Sequence, residues 1–362
     1  MPPPDPAPAL VLTGGGTGGH FFPAVALAEG AKARWPDRPI LFIGSRRGLE
    51  GRKLPESAWS HELLDVEGFV GRSPLKVAGA AWKLWRAKAR LLAAWKGARP
   101  WAVVGTGGYA AAPALLAARS LGIPYFLHES NAAPGRLVRQ VARDAKRVWC
   151  GLEAVKALLP GADCLTVGTP VRPEFRRAFR PVEALGAPFR LLVLGGSGGA
   201  RALNEAMLGA APGLLDTYAD WEILHQAGPA EFERLKAAPR HPRHGLVPFI
   251  EDMAGAMEGA SLVVSRAGAS TCAELEAAGR GALLVPLPGS AGDHQAHNAR
   301  ALAGLGRAVV VVQGPDLGER LPAEAGRLMA DAAARVALAG TATPNRAVEA
   351  CLDDLEARMA GS

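Results

Sequence analysis

Three glycine-rich segments in this 362-residue chain have the residue types and the setting to receive an anion. Thr13-Gly14-Gly15-Gly16-Thr17-Gly18-Gly19-His20 follows the apolar run Leu10-Val11-Leu12, and Gly195-Gly196-Ser197-Gly198-Gly199 follows Leu192-Val193-Leu194. The third, Gly105-Thr106-Gly107-Gly108-Tyr109, follows Trp101-Ala102-Val103-Val104. Glycine lets the backbone approach a ligand closely, and where a helix begins next, its first N–H groups point at whatever sits there. Groups able to move a proton or hold a hydroxyl stand near these turns. His20 closes the first of them, and Pro124 to Glu129 reads as a strand that delivers His128, Glu129 and Asn131 at its C-terminal end. Ligands of open α/β sheets bind at such ends. Glu274 falls in the early turns of a helix opened by Gly268-Ala269-Ser270-Thr271.

The elements that must hold these groups follow from periodicity. Short apolar runs predict buried strands at Leu10–Leu12, Pro39–Gly44, His61–Val66, Trp101–Val104, Pro124–Glu129, Arg147–Cys150 and Cys164–Val167 in the first half. The second half repeats the rhythm at Arg190–Leu194, Trp221–His225, Gly245–Phe249, Ser261–Val264, Ala282–Pro286 and Ala308–Val312. Helices are expected over Phe22–Ala33, Ala200–Leu208 and Gly268–Ala278, and another within Arg72–Lys96, with Leu75 and Val77 preceding it. Gly168-Thr169-Pro170-Val171-Arg172-Pro173 reads as a connection, since two prolines and a glycine fit neither a helix nor a central strand. The expected organisation is α/β, with two Rossmann-like domains facing a cleft: residues 1–170 and 171–345. A closing amphipathic helix within 346–362, carrying Val348, Cys351, Leu352, Leu355 and Met359, is expected to pack back on the first.

Composition bounds the class. With 49% hydrophobic and 21% charged residues the chain is ordinary for a globular protein. Met1 to Pro6 lacks the basic and apolar regions of a signal peptide, so none is expected, and four cysteines without metal-type spacing read as reduced. The net charge of +7 is uneven: residues 1–170 carry 22 basic and 12 acidic side chains, +10, against −3 for the rest. Gly68 to His128 holds nine basic residues and no acid, a bias that recruits anions. Within it Trp82, Trp85, Ala89 and Leu92 recur at helical spacing among Lys83, Arg86, Lys88 and Arg90. The pattern fits a core-facing helix with a solvated basic side, or a helix lying on a lipid interface. Single-stranded nucleic acid would also suit tryptophan between cations, but no aromatic sheet platform accompanies it.

Two other chemistries have partial signals in the residues. Gly14-x-Gly16-x-x-Gly19 after a strand matches a dinucleotide fingerprint, with Arg46-Arg47 where an enzyme of the 2′-phosphorylated nicotinamide cofactor carries arginine. It leaves the Gly195–Gly199 turn and the Trp-bearing helix without a role. His294-x-x-His297 beside Asp293 could offer metal ligands, yet two imidazoles and one carboxylate make an incomplete set.

Seven segments in order resemble one family, the MurG family of bacterial cell-wall N-acetylglucosaminyltransferases. They are Gly15–His20 with Phe22-Pro23; Gly105-x-Gly107-Gly108-Tyr109; His128-Glu129-x-Asn131 with Pro134-Gly135; and Gly168-x-Pro170-Val171-Arg172. The others are Gly195-Gly196-Ser197-x-Gly199-Ala200; Ser265–Ala269 with Thr271 and Glu274; and Asp293-His294-Gln295 with Asn298. The resemblance implies a GT-B glycosyltransferase that inverts the anomeric centre of UDP-N-acetylglucosamine without a metal cofactor. Its acceptor would be the 4-hydroxyl of an undecaprenyl-diphosphate-linked muramyl pentapeptide.

By that resemblance, the second domain would hold the donor. Glu274 would accept the ribose hydroxyls, Ser197, Gly268 and Ser270 would cradle the diphosphate, and Ile250 and Met253 would flank uracil. His294 and Gln295 would reach the sugar, Arg172 would close on the nucleotide, and Thr17, Gly18, Gly19 and Asn131 would also approach the donor. Gly198 departs from the larger residue common in the family, so a side-chain contact is missing there. Thr17, His20, Gly107, Gly108 and Tyr109 would bind the acceptor, with His20 or Glu129 as base, or His20 holding only a phosphate or the sugar. Leu75, Val77, Trp82, Lys83, Trp85 and Arg86 would rest on anionic lipid, placing the enzyme peripherally on the cytoplasmic face of the cell membrane. Nucleic acid is not an expected partner.

Overall fold

The computed structural model describes residues 8–68, 74–195 and 199–361, and the chain divides into two compact units, Met1–Pro173 with Arg346–Ser362, and Glu174–Asn345. In the first unit seven strands form one parallel sheet: β1 (Leu10–Thr13), β2 (Ile40–Ser45), β3 (Ser60–Leu64), β4 (Ala102–Gly105), β5 (Tyr125–Glu129), β6 (Arg147–Cys150) and β7 (Cys164–Thr166), in the order 3-2-1-4-5-6-7. Helices α1 (Gly18–Arg34), α2 (Leu49–Lys53), α3 (Pro74–Gly97), α4 (Ala112–Leu121) and α5 (Arg136–Val141) make the crossovers. Strands covered on both faces can be apolar at every position, which is why Leu10, Val11 and Leu12 are all buried and why these runs are readable. Strand order reverses between β1 and β4, where Thr13 pairs with Gly105, so the first and third glycine turns leave the sheet side by side at a switch point.

The second unit has six parallel strands, β8 (Phe189–Leu194), β9 (Trp221–Gln226), β10 (His244–Val247), β11 (Leu262–Ser265), β12 (Ala282–Leu284) and β13 (Ala308–Val310), in the order 10-9-8-11-12-13. Its helices are α6 (Arg201–Thr217), α7 (Pro229–Leu235), α8 (Met253–Glu258), α9 (Ala269–Ala278), α10 (His294–Gly304), α11 (Leu317–Ala330) and α12 (Ala332–Ala339). The switch lies between β8 and β11, where Leu194 pairs with Ser265. The core unites Leu191, Val193, Leu203, Met207, Ile223 and Leu321.

Each expected strand forms within a residue or two of its predicted span, while the helices differ more. α1 starts at Gly18 rather than Phe22, with extended Thr17 as its N-cap, so Gly18 to His20 are helix and not loop. α6 continues to Thr217 through exposed Pro212, because Leu203, Met207, Ala211 and Leu215 keep one buried stripe along it. The closing helix, Ala347–Ala360, packs on α1: Val348, Cys351, Leu352 and Leu355 join a cluster with Phe21, Ala24 and Leu27. Trp149 Nε1 donates to Asp354 Oδ2 at 2.8 Å, and Arg34 pairs with Asp353.

Of the two readings of α3, the core-facing one for Trp82 and Trp85 does not hold. The helix's buried stripe is Ala80, Ala87, Leu91 and Trp95, of which Ala87, Leu91 and Trp95 pack with Val103 and Leu115. Trp82 and Trp85 point outward, 56% and 65% exposed, with Leu75 87% exposed on the same helix. In an alanine-rich helix both stripes have helical spacing, and contact with the sheet selects the one carrying Leu91 and Trp95. Leu75 and Val77, expected to precede this helix, lie within it, and Arg72 lies outside the described residues.

Candidate active site

The two glycine turns of the first unit interlock. A Cβ on Gly108 would stand 2.1 Å from the Gly15 carbonyl oxygen, a distance no side chain tolerates. Thr106 N–H donates to Thr13 O at 2.9 Å, and Thr106 Oγ1–H donates to His20 O at 2.6 Å. The imidazole then folds back, with Nδ1 2.9 Å from Thr106 O. A carbonyl oxygen only accepts, so Nδ1 carries the hydrogen, and in the neutral ring Nε2 is the basic nitrogen. Beside it, the N–H groups of Gly18 and Gly19 open α1, where a helix has no internal acceptor to offer them. No acid occupies that first turn. Such an arrangement can receive an anion next to a half-buried imidazole.

β5 delivers its polar residues into a set of hydrogen bonds with neighbouring loops. His128 is buried, 2.9 Å from Gly168 O through Nε2 and 3.1 Å from Ser130 Oγ through Nδ1. Burial pushes its pKa down to about 4. Glu129 is also buried, and Oε1 accepts from Asn131 N–H and Nδ2–H, both at 3.0 Å, while Oε2 accepts from Gly135 N–H at 2.9 Å. Its carboxylate closes the loop leading into α5. In this structure both oxygens meet the chain's own donors, so Glu129 holds the loop, and its Oε2, with one bond from Gly135, keeps a lone pair.

In the second unit, α9 begins after N-cap Gly268, and Ser270 Oγ in its first turn is buried without a hydrogen-bond partner among the described residues. A buried hydroxyl facing a helix start in this way suits an incoming phosphate oxygen. Half-buried Glu274 lies one turn further along, on the same face. Asn298 of α10 donates through Nδ2 to Ala267 O at 3.1 Å and so holds the turn before α9. His294 is half-buried at the start of α10, and Gln295 Oε1 accepts from Leu287 N–H at 2.9 Å. Ile250 and Met253 are buried, with Ile250 N–H donating to Gln226 Oε1 at 2.9 Å. The apolar side chain left outward beside them is Phe249, 46% exposed. Arg172 is half-buried at the end of the first unit, and Ser197 and Gly198 lie outside the described residues.

Comparison with known proteins decides the family. Residues 10–150 match the glycosyltransferase family 28 N-terminal domain and residues 190–348 the family's C-terminal domain. A Syntrophotalea carbinolica protein named UDP-N-acetylglucosamine–N-acetylmuramyl-(pentapeptide) pyrophosphoryl-undecaprenol N-acetylglucosamine transferase is 42% identical over 84% of this chain and 85% of its own. A Geobacter sulfurreducens protein of the same name is 36% identical over 96% and 98%. The crystal structure of Acinetobacter baumannii MurG aligns over 97% of this chain and 99% of that one, at 31% identity and a TM-score of 0.75. The chain belongs to the MurG family.

Membership gives the two Rossmann-like units the GT-B architecture, and the geometry disposes of the dinucleotide alternative. In such enzymes the glycine-turn backbone faces the pyrophosphate and acids or arginines after the second strand reach the ribose. Here Gly16 N–H donates to Glu50 Oε2 at 2.8 Å, Arg47 pairs with Glu67 at 3.0 Å, and Arg46 Nε donates to Leu63 O. Sequence reasoning missed Glu50, whose only signal is an acid set between Gly48 and Gly51 straight after a strand. Among the described residues, no three His, Cys, Asp or Glu gather as a metal site needs, His294 and His297 included.

The lipid-facing expectations divide as well. Lys83 turns inward to Asp65 and Glu67, so its charge is spent within the fold. Val77 is half-buried. Arg86 stacks over Trp82 at 4.6 Å and remains on the outer face with Leu75, Trp82 and Trp85. Among the described residues, no helix is long and apolar enough to cross a membrane.

Proposed function

We propose that the chain transfers N-acetylglucosamine from UDP-N-acetylglucosamine to the 4-hydroxyl of an undecaprenyl-diphosphate-linked muramyl pentapeptide, with inversion at the anomeric carbon. It is an N-acetylglucosaminyltransferase of peptidoglycan synthesis, and the observation that carries this reading is the near full-length likeness to transferases of that name.

The second unit takes the donor. The start of α9, with Ser270, meets the diphosphate, and Glu274 accepts hydrogen bonds from the ribose hydroxyls. The backbone at Ile250 and the exposed ring of Phe249 meet uracil. His294 and the Gln295 amide nitrogen, whose oxygen is already engaged by Leu287, serve the sugar, and Arg172 the nucleotide. Helix starts carry the charge of the departing UDP, without a resident metal ion. In the first unit Thr17, Gly18 and Gly19, backed by Gly107, Gly108 and Tyr109, take the acceptor's diphosphate. His20 Nε2 removes the proton of the attacking hydroxyl, and Nδ1, held by Thr106 O, keeps that tautomer.

The outer face of α3, with Leu75, Trp82, Trp85 and Arg86, rests on the cytoplasmic leaflet, where each lysine or arginine near anionic lipid adds about 1 kcal/mol. Radiolabelled UDP-N-acetylglucosamine with a short-chain lipid-linked acceptor tests the assignment. Label must move to the lipid with matching release of UDP; hydrolysis of donor without a labelled lipid would contradict it.

A further inference from the structure

Glu50 stands beneath the first glycine turn in a setting that nothing in the proposed chemistry uses. It is fully buried, with Oε2 accepting from Gly16 N–H at 2.8 Å and Oε1 accepting from Ser45 N–H at 3.1 Å. No lysine, arginine or histidine among the described residues pairs with it. A buried carboxylate met by main-chain dipoles alone is expensive, and the fold makes room for it at three positions. A Cβ on Gly15 would lie 2.2 Å from its Cδ, one on Gly48 2.2 Å from its oxygens, and one on Gly44 2.6 Å from its Cγ. Three glycines thus surround one acid.

Its position explains the cost. Glu50 links the end of β2, at Ser45, to the turn after β1, at Gly16, one residue before the N-cap of α1 and four before His20. With Gly16 N–H drawn inward and Gly15 N–H directed to Gly107 O, the outward donors are those of the helix start. We propose that Glu50 is a positioning residue for the acceptor half of the reaction: it fixes the anion turn and, through the start of α1, the place of His20. The inference rests on the reading that the first unit binds the lipid-linked diphosphate.

Glu50→Gln tests it at constant shape. The amide keeps one acceptor oxygen but sets an NH2 against a main-chain N–H. With the full chain, UDP-N-acetylglucosamine and a short-chain lipid-linked acceptor, kcat/KM for the acceptor is expected to fall about tenfold to a hundredfold. UDP affinity should stay within about twofold and the melting temperature within a few degrees. Unchanged transfer would overturn the proposal, as would a loss shared equally by UDP binding, which marks a general structural role. Hydrogen exchange on the unmodified chain gives an answer even if the variant does not fold. The Gly16 amide must be protected without ligand, and protection gained only on adding inorganic pyrophosphate would overturn the proposal. If the unmodified chain transfers no label to lipid, the functional reading fails instead, and the exchange result still decides the Gly16–Glu50 bond.

Discussion

His20 Nδ1 lies 2.9 Å from the main-chain oxygen of Thr106, and the same threonine's hydroxyl donates to His20 O at 2.6 Å. One residue of the third glycine turn therefore fixes both the ring and the backbone of a residue in the first. His20→Ala is expected to lower kcat about a hundredfold or more, the usual scale for losing a positioned base, with UDP affinity unchanged. Stopped-assay kinetics beside UDP titration measure this, and a variant that keeps its kcat would leave the imidazole no more than a phosphate contact.

Glu274→Ala is expected to weaken UDP binding about tenfold to a hundredfold, the range for removing a charged acceptor of two hydroxyls. Calorimetric titration reads the affinity, and the half-buried side chain predicts little change in melting temperature. Intact affinity would remove the ribose assignment.

Replacing Trp82 and Trp85 with serine should reduce binding to vesicles containing anionic phosphatidylglycerol while leaving turnover on a short-chain acceptor unchanged. Both rings are largely exposed, so the fold loses little. Trp95→Ala on the buried stripe should by contrast cost about 3–5 kcal/mol of stability. Vesicle sedimentation indifferent to the double replacement would end the interface reading.

Stability should fall in mild acid. Burial pushes the pKa of His128 down to about 4, of His225 to about 3 and of His244 to about 4. Unfolded, each titrates near about 6.5, so protons bind the unfolded chain preferentially. The stability tied to their neutrality is complete above about pH 6.5 and drains away as pH falls toward 4. Melting temperatures between pH 7.5 and 4.5 should drop accordingly, and less steeply for His128→Asn; a flat profile would contradict the buried, neutral assignment.

The strands were legible because parallel strands buried on both faces are apolar throughout, as at Leu191 to Leu194. The glycine turns were legible because only glycine permits the approach of Gly108 to Gly15 O. Three things were hidden, each for a physical reason. Trp82 and Leu91 sit on stripes of equal periodicity, and only the sheet beneath distinguishes them. Glu129 at a strand end reads as a candidate base, and its bonds to Asn131 and Gly135, which tie down the loop, leave no mark in the sequence. Glu50, amid Arg46, Arg47, Arg52 and Lys53, reads as one more surface charge, since the bond to Gly16 spans 34 residues.

A crystal structure with UDP-N-acetylglucosamine tests the central assignment most directly. The account predicts the diphosphate at the start of α9 beside Ser270, with the ribose hydroxyls on Glu274 and the turn from Gly14 to Gly19 left to the lipid-linked substrate. Nucleotide diphosphate seated on Gly18 and Gly19, with Glu274 out of reach of the ribose, would contradict it.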